Sequence, residues 1–150
     1  MKIQTKPFGE IEIEESDLIH FPSGILAFEN LHQYVILKES KEAPFSWLQS
    51  LDDPGLAFLI MNPMDIVDDY QPEIMKHEIR HLFDTEDNKK LELWCIITIP
   101  KNQPEKLTIN LQGPIIVYPE KKLGGQFISN DDRHRVRMPL VDLAEAGKIA

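Results

Sequence analysis

Eleven prolines spread along a chain of 150 residues argue against long helices, because a proline lacks the backbone N–H and collides with the preceding helical turn. Between the prolines, apolar residues recur with a period of two. Leu91, Leu93, Cys95, Ile97 and Ile99 alternate with Glu92, Trp94, Ile96 and Thr98, and after a loop at 100–104 the alternation returns at Leu107, Ile109 and Leu111. These two runs form the strongest hairpin signal in the chain. Ile11 and Ile13 alternate with Glu10, Glu12 and Glu14 after a Phe8-Gly9 turn, as in a half-buried strand, and Ile3-Gln4-Thr5 precedes them as another. Tyr34 to Leu37, Leu56 to Met61 and Ile115 to Tyr118 add short apolar runs, and Gly124-Gly125 marks a turn before Phe127-Ile128.

Helical spacing is confined to short pieces. Phe28, Leu31 and Tyr34 follow a Pro22-Ser23-Gly24 turn at intervals suited to one short helix. Pro72 is placed to start another, with Glu73 in its first turn and Ile74, Met75, Ile79, Leu82 and Phe83 along one side. The Ala-rich tail at 143–150 suits a short helix or a flexible end. No repeat or linker divides the chain. The expected architecture is a single mainly β domain over 1–150, with antiparallel strands curled into a barrel-like structure and one or two short helices.

Charge narrows the partners. Twenty-five acidic residues against sixteen basic ones leave a net charge of −9, which repels a phosphate backbone and attracts a basic protein. Direct nucleic-acid binding is therefore not expected, and solubility alone is the plainer explanation of the same charge. Cys95 is the only cysteine, so no disulfide forms within the chain and no Cys-based zinc site exists. Its apolar register marks a buried, inert thiol. The opening MKIQTKPFGE lacks the apolar segment of a signal peptide, and no apolar run approaches the roughly 20 residues that span a bilayer. The expectation is a reduced, cytoplasmic, soluble protein with no membrane partner.

One catalytic motif has to be weighed. His77-Glu78-Ile79-Arg80-His81 matches H-E-x-x-H, in which two imidazoles one helical turn apart share a zinc ion and the glutamate acts as general base. Taken literally, it describes a small zinc metallohydrolase. Asp84 and Asp87 stand where the extended metzincin pattern requires Gly and His. The helical wheel also sets His77 and His81 nearly opposite Met75, Ile79 and Leu82, on a solvated face. Ser50 lies near Asp52 and Asp53 without a G-x-S-x-G elbow, and Gly124-Gly125 lacks a phosphate-loop frame. Arg133, His134, Arg135 and Arg137 form the one basic cluster, read as local counter-charge or a solvated face. The residues supply no catalytic, cofactor-binding or metal-binding set, so no enzyme activity and no cofactor are expected.

The most distinctive stretch runs from Pro44 to Phe58. Phe45, Trp47, Leu48, Leu51, Leu56, Ala57 and Phe58 surround Gln49, Ser50, Asp52 and Asp53. Pro54-Gly55 then turns the chain, with proline fixing φ and the aspartates accepting nearby backbone N–H bonds. By itself this reads as a packed corner whose turn is well explained.

Several ordered segments resemble the FliW flagellar assembly factor family. They are Phe21-Pro22-Ser23-Gly24-Ile25 with Phe28-Glu29, the run Pro44 to Pro54 continued by Leu56-Ala57-Phe58, and Asn110 to Val117 followed by Gly125-Gln126. The resemblance spans about residues 2–140. Leu26-Ala27 departs from the Pro-Gly of many members, and His134 stands where a Tyr is expected. The resemblance implies a non-enzymatic, cytoplasmic, chaperone-like protein that binds flagellin. It also implies that the chain sequesters the translational regulator CsrA, which relieves repression of flagellin translation. Candidate protein-binding residues are Trp47, Gln49, Ser50, Asp52, Asp53, Pro54, Asn110 and Pro114, polar or turn positions beyond what core packing needs. Phe45, Leu48, Leu51 and Phe58 are expected to hold the fold.

Overall fold

The computed structural model describes residues 1–85 and 87–140. Its strands are β1 (Lys2–Thr5), β2 (Gly9–Glu12), β3 (Ile19–His20), β4 (Gln33–Lys38), β5 (Phe45–Ser50) and β6 (Ala57–Met61). A helix α1 (Lys76–Phe83) follows, then β7 (Glu92–Thr98), β8 (Thr108–Ile109), β9 (Ile115–Tyr118), β10 (Leu123–Gln126) and β11 (Met138–Pro139). Seven strands close on themselves in the order β7-β6-β5-β4-β3-β10-β9, with β9 pairing back onto β7. β1 and β2 form a separate hairpin, and β8 and β11 extend the sheet beyond β7. Among the described residues no helix is long and apolar enough to cross a membrane.

The mainly β barrel and its short helix agree with the sequence reading. One pairing departs from the antiparallel expectation: β3 and β10 run parallel through Leu123 and His20. The β7–β8 hairpin forms, with Ile97 opposite Ile109. The chain then passes onto the upper half of the same β7 edge as β9, where Trp94 faces Ile115.

Alternation decides which side chains fill the barrel. The registers place Ile36 beside Leu48, Leu48 beside Phe58 and Ile60 beside Ile96. These residues pack with Phe21, Tyr34, Ile115 and Val117 in one interior cluster. Opposite faces are covered by separate elements. The β1–β2 hairpin sets Ile3 and Ile13 on Val35 of β4, and α1 sets Ile79 and Phe83 on Ile116 and Tyr118 of β9.

A third outer cluster joins Met61, Ile66, Tyr70, Cys95, Ile97, Ile109 and Leu111. There burial pushes the Cys95 thiol up to about 12, and its hydrogen bond with Tyr70 offsets only part of that. Cys95 should therefore resist a thiol-specific disulfide reagent in native protein at pH ~8 and react fully once denatured. Rapid native labelling would contradict its burial.

Two helical expectations are corrected. Phe28, Leu31 and Tyr34 lie on no helix. Residues 21–32 instead form successive turns, with Gly24 N donating to Phe21 O at 3.0 Å, Phe28 N to Ile25 O at 2.6 Å and Leu31 N to Phe28 O at 3.1 Å. Left-handed backbone at Gly24 (φ 64°) and Ala27 (φ 76°) bars a helix before Phe28. Beyond it, His32 N and Gln33 N bond to the Asp52 carboxylate, and Tyr34 lies in β4. The later helix begins at Lys76 rather than Pro72. Before it, Glu73 N donates to Ser129 Oγ at 2.9 Å and Asn130 N donates to Glu73 O at 2.8 Å, so those backbone groups bond to a neighbouring segment. The tail at 143–150 lies outside the described residues.

A candidate docking site at one end of the barrel

The pairing registers bring the starts of β4, β6 and β9 to the same barrel end as the finishes of β3, β5, β7 and β10. Three loops meet there: 21–32, 51–56 and 110–114.

The 51–56 loop is built around Gln49. Its Oε1 accepts from Lys6 N at 2.9 Å, and its Nε2 lies 2.8, 3.0 and 3.1 Å from the carbonyl oxygens of Ser50, Pro54 and Leu56. One buried amide thus supplies the hydrogen bonds that a tight polar loop cannot make to itself. Ser50 Oγ accepts from Asp53 N at 2.9 Å, and the Asp53 carboxylate accepts from Gly55 N at 3.1 Å. Asp52 reaches across to the neighbouring loop, where its carboxylate accepts from His32 N at 2.7 Å and Gln33 N at 3.1 Å.

Exposure separates the eight candidate residues. Gln49 and Ser50 are wholly buried and Pro114 is buried. Asp52, Asp53 and Pro54 are exposed. Asn110 is half-buried, and its carboxamide oxygen shapes the third loop by accepting from Gln112 N at 3.1 Å and Gly113 N at 2.8 Å. Trp47, also half-buried, lies farther down the outer wall, where its indole N–H donates to the Glu39 carboxylate. Of the eight, Asp52, Asp53 and Pro54 present exposed surface at this end, with half-buried Asn110 nearby, on a buried frame.

The structure adds a residue that sequence reasoning missed. Leu26, at the tip of the 21–32 loop, is 70% exposed, the most of any large hydrophobic among the described residues. It sits in a turn closed by the Phe28 N to Ile25 O bond, with Ala27 at φ 76° in the position that ordinarily requires glycine. Gln126 anchors the turn, since its Oε1 accepts from Leu26 N at 2.9 Å while its Nε2 donates to Gly113 O at 3.0 Å. Below it, Phe28 packs edge-on against Phe58 with ring centroids 5.4 Å apart. The signal was present in the sequence as Leu-Ala replacing Pro-Gly. Ala27→Gly should raise stability by about 0.5–1 kcal/mol, read as a higher melting temperature. A lower one would show that the turn is not strained.

Beneath this end, the Tyr34 hydroxyl is buried and has no hydrogen-bond partner among the described residues. Burial, aided by the nearby Asp52 carboxylate, pushes it up to about 12, so it stays protonated. On the outer wall, a groove of about 740 Å³ runs between 70–76 and the start of β7, lined by Tyr70, Pro72, Ile74, Ile79, Leu93 and Ile116. Lys76 and Glu92 put both charge signs on its lining.

Neither catalytic constellation is arranged for chemistry. His77 and His81 are exposed on α1, whereas Ile79 and Phe83 face the barrel. Among the described residues no group of three or more His, Cys, Asp or Glu side chains is placed to hold a metal. Ser129, His134 and Asp131 come together unforeseen, with Ser129 Oγ 2.7 Å from His134 Nδ1 and His134 Nε2 3.9 Å from Asp131 Oδ2. Ser129 is only 2% exposed, and its oxygen accepts from Glu73 N. Arg133 bonds to the Asp131 carboxylate, which these hydrogen bonds hold well below the usual carboxylate range. With the Tyr70 ring tilted 56° against the His134 ring at a centroid distance of 4.7 Å, the cluster is a knot tying 70–73 to 129–134.

Residues 2–140 match the family model described as FliW protein. The flagellar assembly factor FliW of Leptospira biflexa serovar Patoc is 38% identical over 143 residues, covering 95% of this chain and 93% of the relative. The flagellar assembly factor FliW of Caldanaerobacter subterraneus is 37% identical over 143 residues, covering 95% and 94%. A crystal structure of the flagellar assembly factor FliW superposes with a TM-score of 0.83 at 31% identity, covering 93% of this chain and 96% of that one. With its length, its barrel and its signature loops all accounted for, the chain belongs to the FliW family.

Proposed function

We propose that this FliW-family flagellar assembly factor acts without turnover, as a cytoplasmic binding protein whose barrel end docks flagellin and the translational regulator CsrA. Holding CsrA would relieve repression of flagellin translation, and flagellin would compete for the same protein. The observation that carries this reading is the exposed Leu26 on a cross-linked turn, at the end that also carries exposed Glu29, Asp52 and Asp53. A rigid apolar side chain loses little entropy on docking, and a carboxylate surround favours a basic partner through encounter rate and orientation. The net charge of −9 acts in the same sense.

Titration calorimetry of the protein against flagellin and against CsrA is the test. Saturable heats with both are expected, and no heat with either at micromolar protein would sink the proposal. Leu26→Asp should weaken binding by about 100-fold, as loss of a central apolar anchor does, while leaving the melting temperature nearly unchanged because the side chain is 70% exposed. Full binding by this variant would move the site away from the 21–32 loop.

A further inference from the structure

The basic cluster at 133–137 is divided by the fold. Arg133 is bonded to Asp131 by its guanidinium, with Nη2 2.6 Å from Oδ2, so its charge is matched locally. His134 is 9% exposed and packed between Tyr70 and Ser129. Arg135 and Arg137 are exposed, and among the described residues neither is in an ion pair. Between them Val136 is 51% exposed. The segment is held from behind, with Leu111 N donating to Arg135 O at 3.0 Å and β11 pairing with β8 immediately after it. Ile128, 49% exposed, adjoins Ser129, whose Oγ lies 2.7 Å from His134 Nδ1, tying the chain there to the 133–137 segment.

Solubility does not require these cations. In a chain of net charge −9 two unmatched guanidiniums lower the charge that keeps molecules apart. Arginine beside exposed aliphatic side chains is instead the composition of an interface centre. Two guanidiniums neutralise too few phosphates to hold a polyanion against an acidic field, whereas each pairs bidentately with one carboxylate at short range. We propose that Arg135, Val136 and Arg137, with Ile128, form a second docking surface that takes an acidic protein segment in which carboxylates flank an aliphatic side chain. It is opposite in sign to the acidic docking end.

The test uses the full chain and a labelled Glu-Val-Glu-Val-Glu peptide, followed by fluorescence anisotropy, with Gln-Val-Gln-Val-Gln, Lys-Val-Lys-Val-Lys and a labelled ten-nucleotide uridine RNA as comparison probes. The glutamate peptide should bind saturably and more weakly as salt rises. R135Q/R137Q should weaken it about tenfold with unchanged melting, while R133Q should leave it within about twofold because that charge is already matched. Equal binding of the glutamine or lysine peptide, preference for the RNA, or full glutamate-peptide binding by R135Q/R137Q would overturn the proposal. These outcomes do not depend on flagellin or CsrA, so failure here is separate from failure of the docking reading above.

Discussion

Gly24→Ala should destabilise the protein by about 4 kcal/mol, lowering the melting temperature by roughly 8–16 °C for a chain of this size. Two effects combine. Gly24 holds φ at 64°, and a Cβ placed there would lie 2.6 Å from Phe28 O and 2.7 Å from Glu29 Cα. Those are backbone atoms of the same loop, so relief requires the 21–32 turns to open. Gly9 is the internal control: its φ is 68°, but a Cβ placed there would meet nothing within 4 Å. Gly9→Ala should therefore cost only the left-handed backbone term of about 1–2 kcal/mol. Equal melting of the two variants would remove the close approach as the cause. Because the loop carries Leu26, Gly24→Ala should also weaken partner binding, a loss absent from Gly9→Ala.

The second large effect is expected at Gln49. Gln49→Leu keeps a side chain of similar size but removes the amide's bonds to Lys6 N and to the carbonyls of Ser50 and Pro54. Leu56 O, which the amide also bonds, keeps its bond from Ser50 N at 3.0 Å. Buried groups left unpaired in this way cost about 1–3 kcal/mol each when water cannot reach them. The loop end is partly open, so a total of about 3 kcal/mol is expected, seen as a lower denaturant midpoint. Asp52→Ala removes bonds at an exposed site and should cost about 1 kcal/mol. Calorimetry on both variants separates frame from contact: lost partner binding at unchanged melting for Gln49→Leu would make Gln49 a contact after all.

Much of the barrel was legible residue by residue. The alternating runs became β7 and β8, the acidic Ile11–Ile13 segment supplied β2, and the Leu56–Met61 run became β6, because a period of two records a local requirement. The short helix starts later than its spacing predicts because the Glu73 N–H and C=O bond to Ser129 and Asn130, far along the chain. The helix expected over 28–34 has the right spacing, but His32 N and Gln33 N bond to the Asp52 carboxylate and Gln33 already opens β4.

What the chain determines by itself is therefore most of the strands, the Asp-Asp-Pro-Gly turn and the charge of its surface, all properties of neighbouring residues and composition. Gly124-Gly125, which locally reads as a turn, instead lies within β10 opposite Val117 and Ile116. Tertiary structure decided the closure of β9 onto β7 and the parallel contact of β3 with β10, which join strands distant in sequence. It also decided the division of labour in the 49–54 segment. Gln49 and Asp52 are both polar and three positions apart, yet Gln49 points into the frame and Asp52 stays exposed. That choice depends on Lys6, His32 and Gln33 arriving from other elements, and no local pattern encodes it.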